Sequence, residues 1–171
     1  DALFRRRAKT ALAIMTADCV PIAIFEKNGS TVACIHAGWQ GLANGVIAKT
    51  VALMPTSYKL FAVIGACISL PAYEVDQHLA EHILDKAVTN KLVLLDRQAL
   101  FDMLIKPSNN SDKAYIDIKR LAQLQLEKFG ITVLNDTVPC SYLSPKYYSY
   151  RLQTHTNRPA IGRMAMLIIK K

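Results

Sequence analysis

Long apolar runs are missing from this 171-residue chain. None approaches the ~20 residues that a membrane-spanning helix needs, which argues against a membrane protein. The opening "DALFRRRAKT" has a basic cluster with no apolar stretch behind it and does not read as a secretory signal. It also lacks an initiator Met and reads as a fragment or a processed form. There is no CxxC pair and no dense cysteine framework. The four cysteines, Cys19, Cys34, Cys67 and Cys140, suit a reduced, cytoplasmic protein. Cys34 and Cys67 sit in or against apolar runs and read as small core residues. With no internal repeat, low-complexity tract or linker, residues 1–171 read as a single domain.

Concentrated charge is missing too. The formal net charge is +8, but the cations are scattered: Arg5, Arg6 and Arg7 at the start, Lys170 and Lys171 at the end, singles between. No basic helix is interleaved with aromatics, which argues against a nucleic-acid partner. Small phosphate-bearing ligands fit such a charge at least as well. Nothing in the sequence specifies an oligomeric state.

What is present is apolar material for a core, 51% of the residues. "ALAIM" (11–15), "VPIAIF" (20–25) and "TVACIHA" (31–37) read as strands, the first two as buried ones. Asn28-Gly29 between the last two is a hairpin turn signal. "QGLANGVIAKTVALM" repeats apolar residues at helical spacing and stops at Pro55. "KLFAVIGACI" reads as a further buried strand, and a helix is expected to start near Glu74 to Asp76. "KLVLLD" fits a short strand or a helix segment, and "SNNSDK" a polar loop. "AYIDIKRLAQLQLEKFG" reads as an amphipathic helix closed by Gly130. "ITVLND" and "AIGRMAMLII" read as strands, and "YYSYRL" as an extended aromatic segment. Strands and helices alternate around at least one hairpin. This predicts an α/β (α+β) layered domain with mixed sheets flanked by helices.

Two side chains stand out. Cys19, preceded by Asp18, follows one strand, and His36 ends the next. Antiparallel pairing would bring those ends together. A thiol beside an imidazole suits a soft-to-borderline metal such as zinc or copper. It also suits a thiolate–imidazole nucleophile pair. A core cysteine beside a hydrogen-bonded turn histidine accounts for the spacing as well. Gly38, Gly41 and Gly45 around Trp39 would let backbone approach a ligand or open an anion-binding helix, or simply make a tight turn.

"TADCVP" followed by "HAGWQGLANGV" resembles the multicopper polyphenol oxidase (laccase-like) family, whose members are also described as purine nucleoside phosphorylases. Supporting matches are "GACI" before "YEVD", then "YIDIKRLAQLQLEKFGI", "VPCSYLSPKYYSYRLQ" and "IGRMAMLI", so the resemblance covers essentially the whole chain. It implies a metal, usually zinc, held by one Cys and two His. Cys19 and His36 match two of these ligands. The other His lies in a Gln-Val-His motif before the point where this sequence begins, so the resemblance implies an N-terminally truncated member. Three positions depart from the family pattern. Gln40 stands for the Arg of "HAGWRG", Leu152 follows Arg151 where "SYRR" has a second Arg, and Ala66 stands for the Pro of "GPCI". These bear on substrate preference more than on fold.

The resemblance implies phosphorolysis of adenosine, inosine or guanosine to free base and ribose 1-phosphate, with deamination of adenosine as a further activity. Cys19, His36 and Asp18 are the catalytic candidates, with Asp18 orienting a ligand, moving a proton or shaping a turn. Trp39, Gln40, Arg151 and Arg163 are the substrate-binding candidates. The family name implies instead copper-dependent oxidation of phenolic substrates, although the several His-rich motifs of a multicopper relay are lacking. A thiol hydrolase using Cys19 and His36, and a binding module without activity, are the other readings. His78 and His82, at i and i+4, read as an exposed helix face, and His155 as a surface residue. Tyr147, Tyr148 and Tyr150 suit either a base-stacking pocket or an aromatic core strand.

Overall fold

The computed structural model describes residues 1–6, 9–27, 31–54, 58–157 and 162–170. In chain order the elements are β1 (Ala2–Arg5), β2 (Thr10–Thr16), β3 (Val20–Glu26), β4 (Val32–Ala37), α1 (Trp39–Ala43), α2 (Val46–Leu53) and β5 (Leu60–Ile64). After a 3-10 turn at Leu70–Ala72 come β6 (Glu74–Asp76), α3 (Gln77–Thr89), α4 (Arg97–Leu104), β7 (Ile105–Pro107) and β8 (Lys113–Ile116). The chain continues through α5 (Ile118–Lys128), β9 (Thr132–Val133), α6 (Tyr150–Thr156) and β10 (Met164–Lys170).

The central sheet has the order β1-β4-β3-β5-β9. Its pairs are antiparallel except β5 with β9, so the sheet is mixed. β3 is buried at every position except the half-buried Phe25 because both of its faces are covered. Ile22, Ile24, Ala33 and Ile35 face α1, α2 and α5 and build the main core with Leu42, Ile47, Leu121 and Leu126. The other face carries Val32 and Cys34, packed under Leu12, Ile14, Met166 and Ile168 of an antiparallel β2–β10 ribbon. A smaller antiparallel sheet, β6-β8-β7, packs with α3 and α4.

The expected α/β architecture with mixed sheets and flanking helices is what the chain forms. Several local expectations need correction. β2 is not a fully buried strand: Ala11, Ala13 and Met15 are exposed while Leu12 and Ile14 are buried, because the ribbon covers the sheet with one face only. The helix after Trp39 is two helices, broken where Gly45 takes a left-handed conformation (φ 75°). Glu74–Asp76 is a strand, and the helix starts one residue later. "KLVLLD" forms neither strand nor helix, with Leu92 and Val93 buried and Leu94 exposed. "YYSYRL" is not extended throughout: Ser149 caps α6 by accepting from the Leu152 amide at 3.0 Å, so the second half is helical. The Asn28-Gly29 turn and the Pro55 stop lie outside the described residues.

Candidate functional site

The β3–β4 register explains why Cys19 and His36 share one face. Pro21 pairs with His36 and Val20 with Ala37, so the next step sets Cys19 opposite Gly38. Side chains alternate with period two, which puts Cys19 and His36 diagonally on one face of the sheet. Gly38 makes room: a Cβ built there would lie 2.9 Å from the Cys19 Sγ. Both residues line an open cleft of about 270 Å³, with Asp1, Gly38, Trp39, Gln40 and Gly41 as the other walls. Trp39 rests its ring against the main core, while Gln40 is exposed.

Burial sets the charge of the pair. It raises the pKa of the Cys19 thiol, and the negative charge of Asp18 raises it further. Burial lowers the pKa of His36. Both shifts favour a neutral thiol beside a neutral imidazole near pH 7. These donor types are the ones that zinc and copper take, and a bound cation would favour the thiolate. Among the described residues, no group of three or more His, Cys, Asp and Glu side chains is arranged to hold an ion. Cys19 and His36 therefore fit as two donors of a shell that needs at least one more.

Asp18 does not face the cleft as a free carboxylate. Its Oδ1 accepts from Ser141 Oγ at 2.6 Å and its Oδ2 from the Arg151 amide at 2.8 Å, while its carbonyl accepts from the Ile68 amide at 2.9 Å. It pins three segments to the residue before Cys19. The Arg151 guanidinium lies 4.8 Å from the Tyr73 ring centroid and donates to the Glu74 carbonyl. Arg163 is exposed, and the β2–β10 register, continued one step, sets it opposite Ala17 at the Cys19 end of the fold.

The remaining candidates fall outside the cleft lining. His78 and His82 are exposed on α3. His155 is exposed and meets the Tyr142 hydroxyl at 3.1 Å through Nδ1. Tyr148 and Tyr150 are exposed at 55% and 57%, which rules out an aromatic core strand for them. A further aromatic near Cys19 and Asp18 is Tyr73, whose phenol feels the charges of both; burial pushes it up to about 12 against the pull of Arg151. Tyr73 and Ser141 were not legible in the sequence as site residues, because only the long-range contacts of Asp18 and Arg151 bring them there.

The chain is similar to known proteins over its whole length. The whole chain, residues 1–171, matches the family described as multi-copper polyphenol oxidoreductase laccase. It is 31% identical over 170 residues to the purine nucleoside phosphorylase PA4543 of Pseudomonas aeruginosa, covering 98% of this chain and 64% of that protein. It is 30% identical to the purine nucleoside phosphorylase YfiH of Escherichia coli, covering 98% of this chain and 63% of that one. The crystal structure of protein NMB0706 of Neisseria meningitidis superposes with a TM-score of 0.79 at 31% identity, covering all of this chain and 65% of that one. The chain thus spans somewhat less than two thirds of the length of these relatives. Matched by the family model over residues 1–171, the chain belongs to the multi-copper polyphenol oxidoreductase (laccase-like) family.

Proposed function

We propose that this chain carries the Cys-His portion of a purine nucleoside phosphorylase site. The observation that carries the reading is the cleft in which Cys19, His36, Trp39 and Gln40 meet. The relatives named for that activity support it. In the reaction, a phosphate oxygen bonds to the ribose C1′ as the C1′–N bond to the base breaks. The bonding pair leaves with the base, which takes up a proton, and ribose 1-phosphate remains.

Cys19 Sγ and a ring nitrogen of His36 would hold the metal, zinc or alternatively copper. When bound, the ion would polarise substrate oxygens and lower the pKa of water, the chemistry that deamination of adenosine also needs. Trp39 offers an aromatic face to the purine and Gln40 an amide to its polar edge. Arg163 supplies exposed positive charge at the same end for phosphate, while Arg151 is held back by Tyr73 and Glu74. Asp18 would act as a tether that keeps Cys19 in place through its hydrogen bonds to Ser141 and the Arg151 amide. The protein would work in the cytoplasm, where a reducing environment suits its four free cysteines. No helix among the described residues is long and apolar enough to cross a membrane.

The test is chromatography of the purified chain with inosine, with and without phosphate, beside Cys19→Ala. Hypoxanthine that forms only with phosphate and only with Cys19 intact supports the reading; its absence in a chain extended to the length of its relatives sinks it. The family's description favours a second reading, oxidation of phenols by a copper-loaded site. Oxygen uptake with a phenol after copper loading would support that one, and no uptake would exclude it.

A further inference from the structure

We propose that Gln125, on α5, is a positioning residue for the cleft, and that it works with Asn90 to hold the helix that presents Trp39 and Gln40. The inference deepens the nucleoside reading and rests on it only for its kinetic arm.

Helix α1 has five residues. That length falls far short of what holds an isolated helix together, so α1 needs outside contacts to keep its shape. No acidic residue lies in its first turn, no basic residue in its last, and its N-cap Gly38 has no side chain to cap with. Instead, three side-chain amides donate to carbonyls of its last turn. Asn44 Nδ2 reaches the Gln40 carbonyl at 2.9 Å, Gln125 Nε2 the Leu42 carbonyl at 3.0 Å, and Asn90 Nδ2 the Ala43 carbonyl at 3.1 Å. Asn44 is local to α1. Gln125 and Asn90 come from α5 and the end of α3, so they fix α1 relative to the rest of the molecule.

Gln125 is the unusual member. It is 1% exposed on a helix whose other buried residues include Leu121, Leu124 and Leu126. Its Oε1 is buried and has no hydrogen-bond partner among the described residues. A buried amide with only one end satisfied stabilises a core less than a leucine of similar size. What the amide adds, and a leucine does not, is a donor aimed at α1. Trp39 and Gln40 lie within one turn of the carbonyl it holds, and they line the cleft together with Cys19 and His36. Small displacements of a substrate-facing wall have large effects on binding and rate.

Trp39 is the chain's single tryptophan, so its fluorescence reports on this wall alone. The experiment compares Gln125→Leu and Asn90→Ala with the unchanged chain, and with Ile105→Val as a mildly destabilised control on β7, away from α1. For each folded protein one would record Trp39 emission, its quenching by acrylamide, and the inosine KM and kcat. The expected result is a red-shifted Trp39 emission and roughly twofold greater quenching in both amide variants, with no change in the control. The inosine KM would rise roughly three- to tenfold, with kcat less affected. Unchanged fluorescence in folded Gln125→Leu overturns the proposal, as does an equal change in Ile105→Val, which would mean general loosening. If Gln125→Leu does not fold, Asn90→Ala carries the same test. If fluorescence shifts as expected but no variant and no unchanged chain cleaves inosine, the nucleoside reading fails and the positioning role stands.

Discussion

Asp18 has a backbone φ of 89°, a conformation that side chains other than glycine adopt at a cost. Two hydrogen bonds to its carboxylate and one to its carbonyl hold it there, so the strain sits where the chain turns from β2 into Cys19. The same neighbourhood separates the cysteines chemically. Burial and Asp18 push the Cys19 thiol up. At Cys140 burial also pushes upward, but hydrogen bonds from Ser69 and from the Leu143 and Tyr142 backbone outweigh it, and the thiol is more acidic than usual. Brief treatment of the metal-free protein with iodoacetamide at neutral pH should therefore label Cys140 before Cys19, read by peptide mass spectrometry. Faster labelling of Cys19 would instead favour the thiol-hydrolase reading, which needs a reactive thiolate at that position. From sequence, Cys34 and Cys67 were legible as core residues, and both are buried. The different roles of Cys19 and Cys140 were only half legible, because the acidity of Cys140 depends on Ser69, a residue distant in sequence.

At the scale of elements, the break between α1 and α2 shapes the cleft. Periodicity alone predicted one helix from Gln40 onward, since the apolar spacing runs through it unchanged. Gly45 interrupts it with a φ of 75°. The break turns α1 so that Trp39 and Gln40 face the cleft while Leu42 and Ala43 are buried. Gly45→Ala should cost about 1–2 kcal/mol from the left-handed conformation alone, measured by urea unfolding. The added methyl would also press on Leu92, whose Cδ2 lies 2.9 Å from where the new Cβ would sit. A loss below a few tenths of a kcal/mol would mean that the break forms without help from glycine. Helix α6 makes a related point. "YYSYRL" has the aromatic content of a strand, but the capping bond of Ser149 and the bond from the Arg151 amide to Asp18 nucleate a helix there.

Over the whole molecule, the buried thiols link stability to pH. Burial raises Cys34 to about 11 and Cys67 to about 12, from the usual thiol value of 9.0. A folded-state pKa above the unfolded one contributes stability that is complete below pH 9.0 and declines as pH rises toward those values. His36 acts at the other end: burial lowers its pKa, so its contribution is complete above its ordinary 6.5 and declines as the pH falls below that. Thermal melts in a common buffer series should show a plateau near neutrality, with a fall above pH 9 that is shallower in Cys34→Ala. An alkaline limb of the same slope in that variant would remove Cys34 from the account.

The sequence by itself determined the strand-and-helix alternation and the Cys19–His36 pairing, because both follow from local periodicity. An apolar run sets a strand, period two sets its faces, and an antiparallel return brings the end of one strand to the start of its neighbour. The family motifs are equally local: "TADC" and "HAGW" are short stretches with the site residues inside them. Tertiary structure decided what lies beyond one hairpin. It bound the Asp18 carboxylate to Ser141 and Arg151, set the Arg151 guanidinium on Tyr73, and let Gln125 and Asn90 hold the wall that carries Trp39. Those contacts join residues from 47 to 133 positions apart. No window of sequence holds both partners, and packing alone brings them within hydrogen-bond distance.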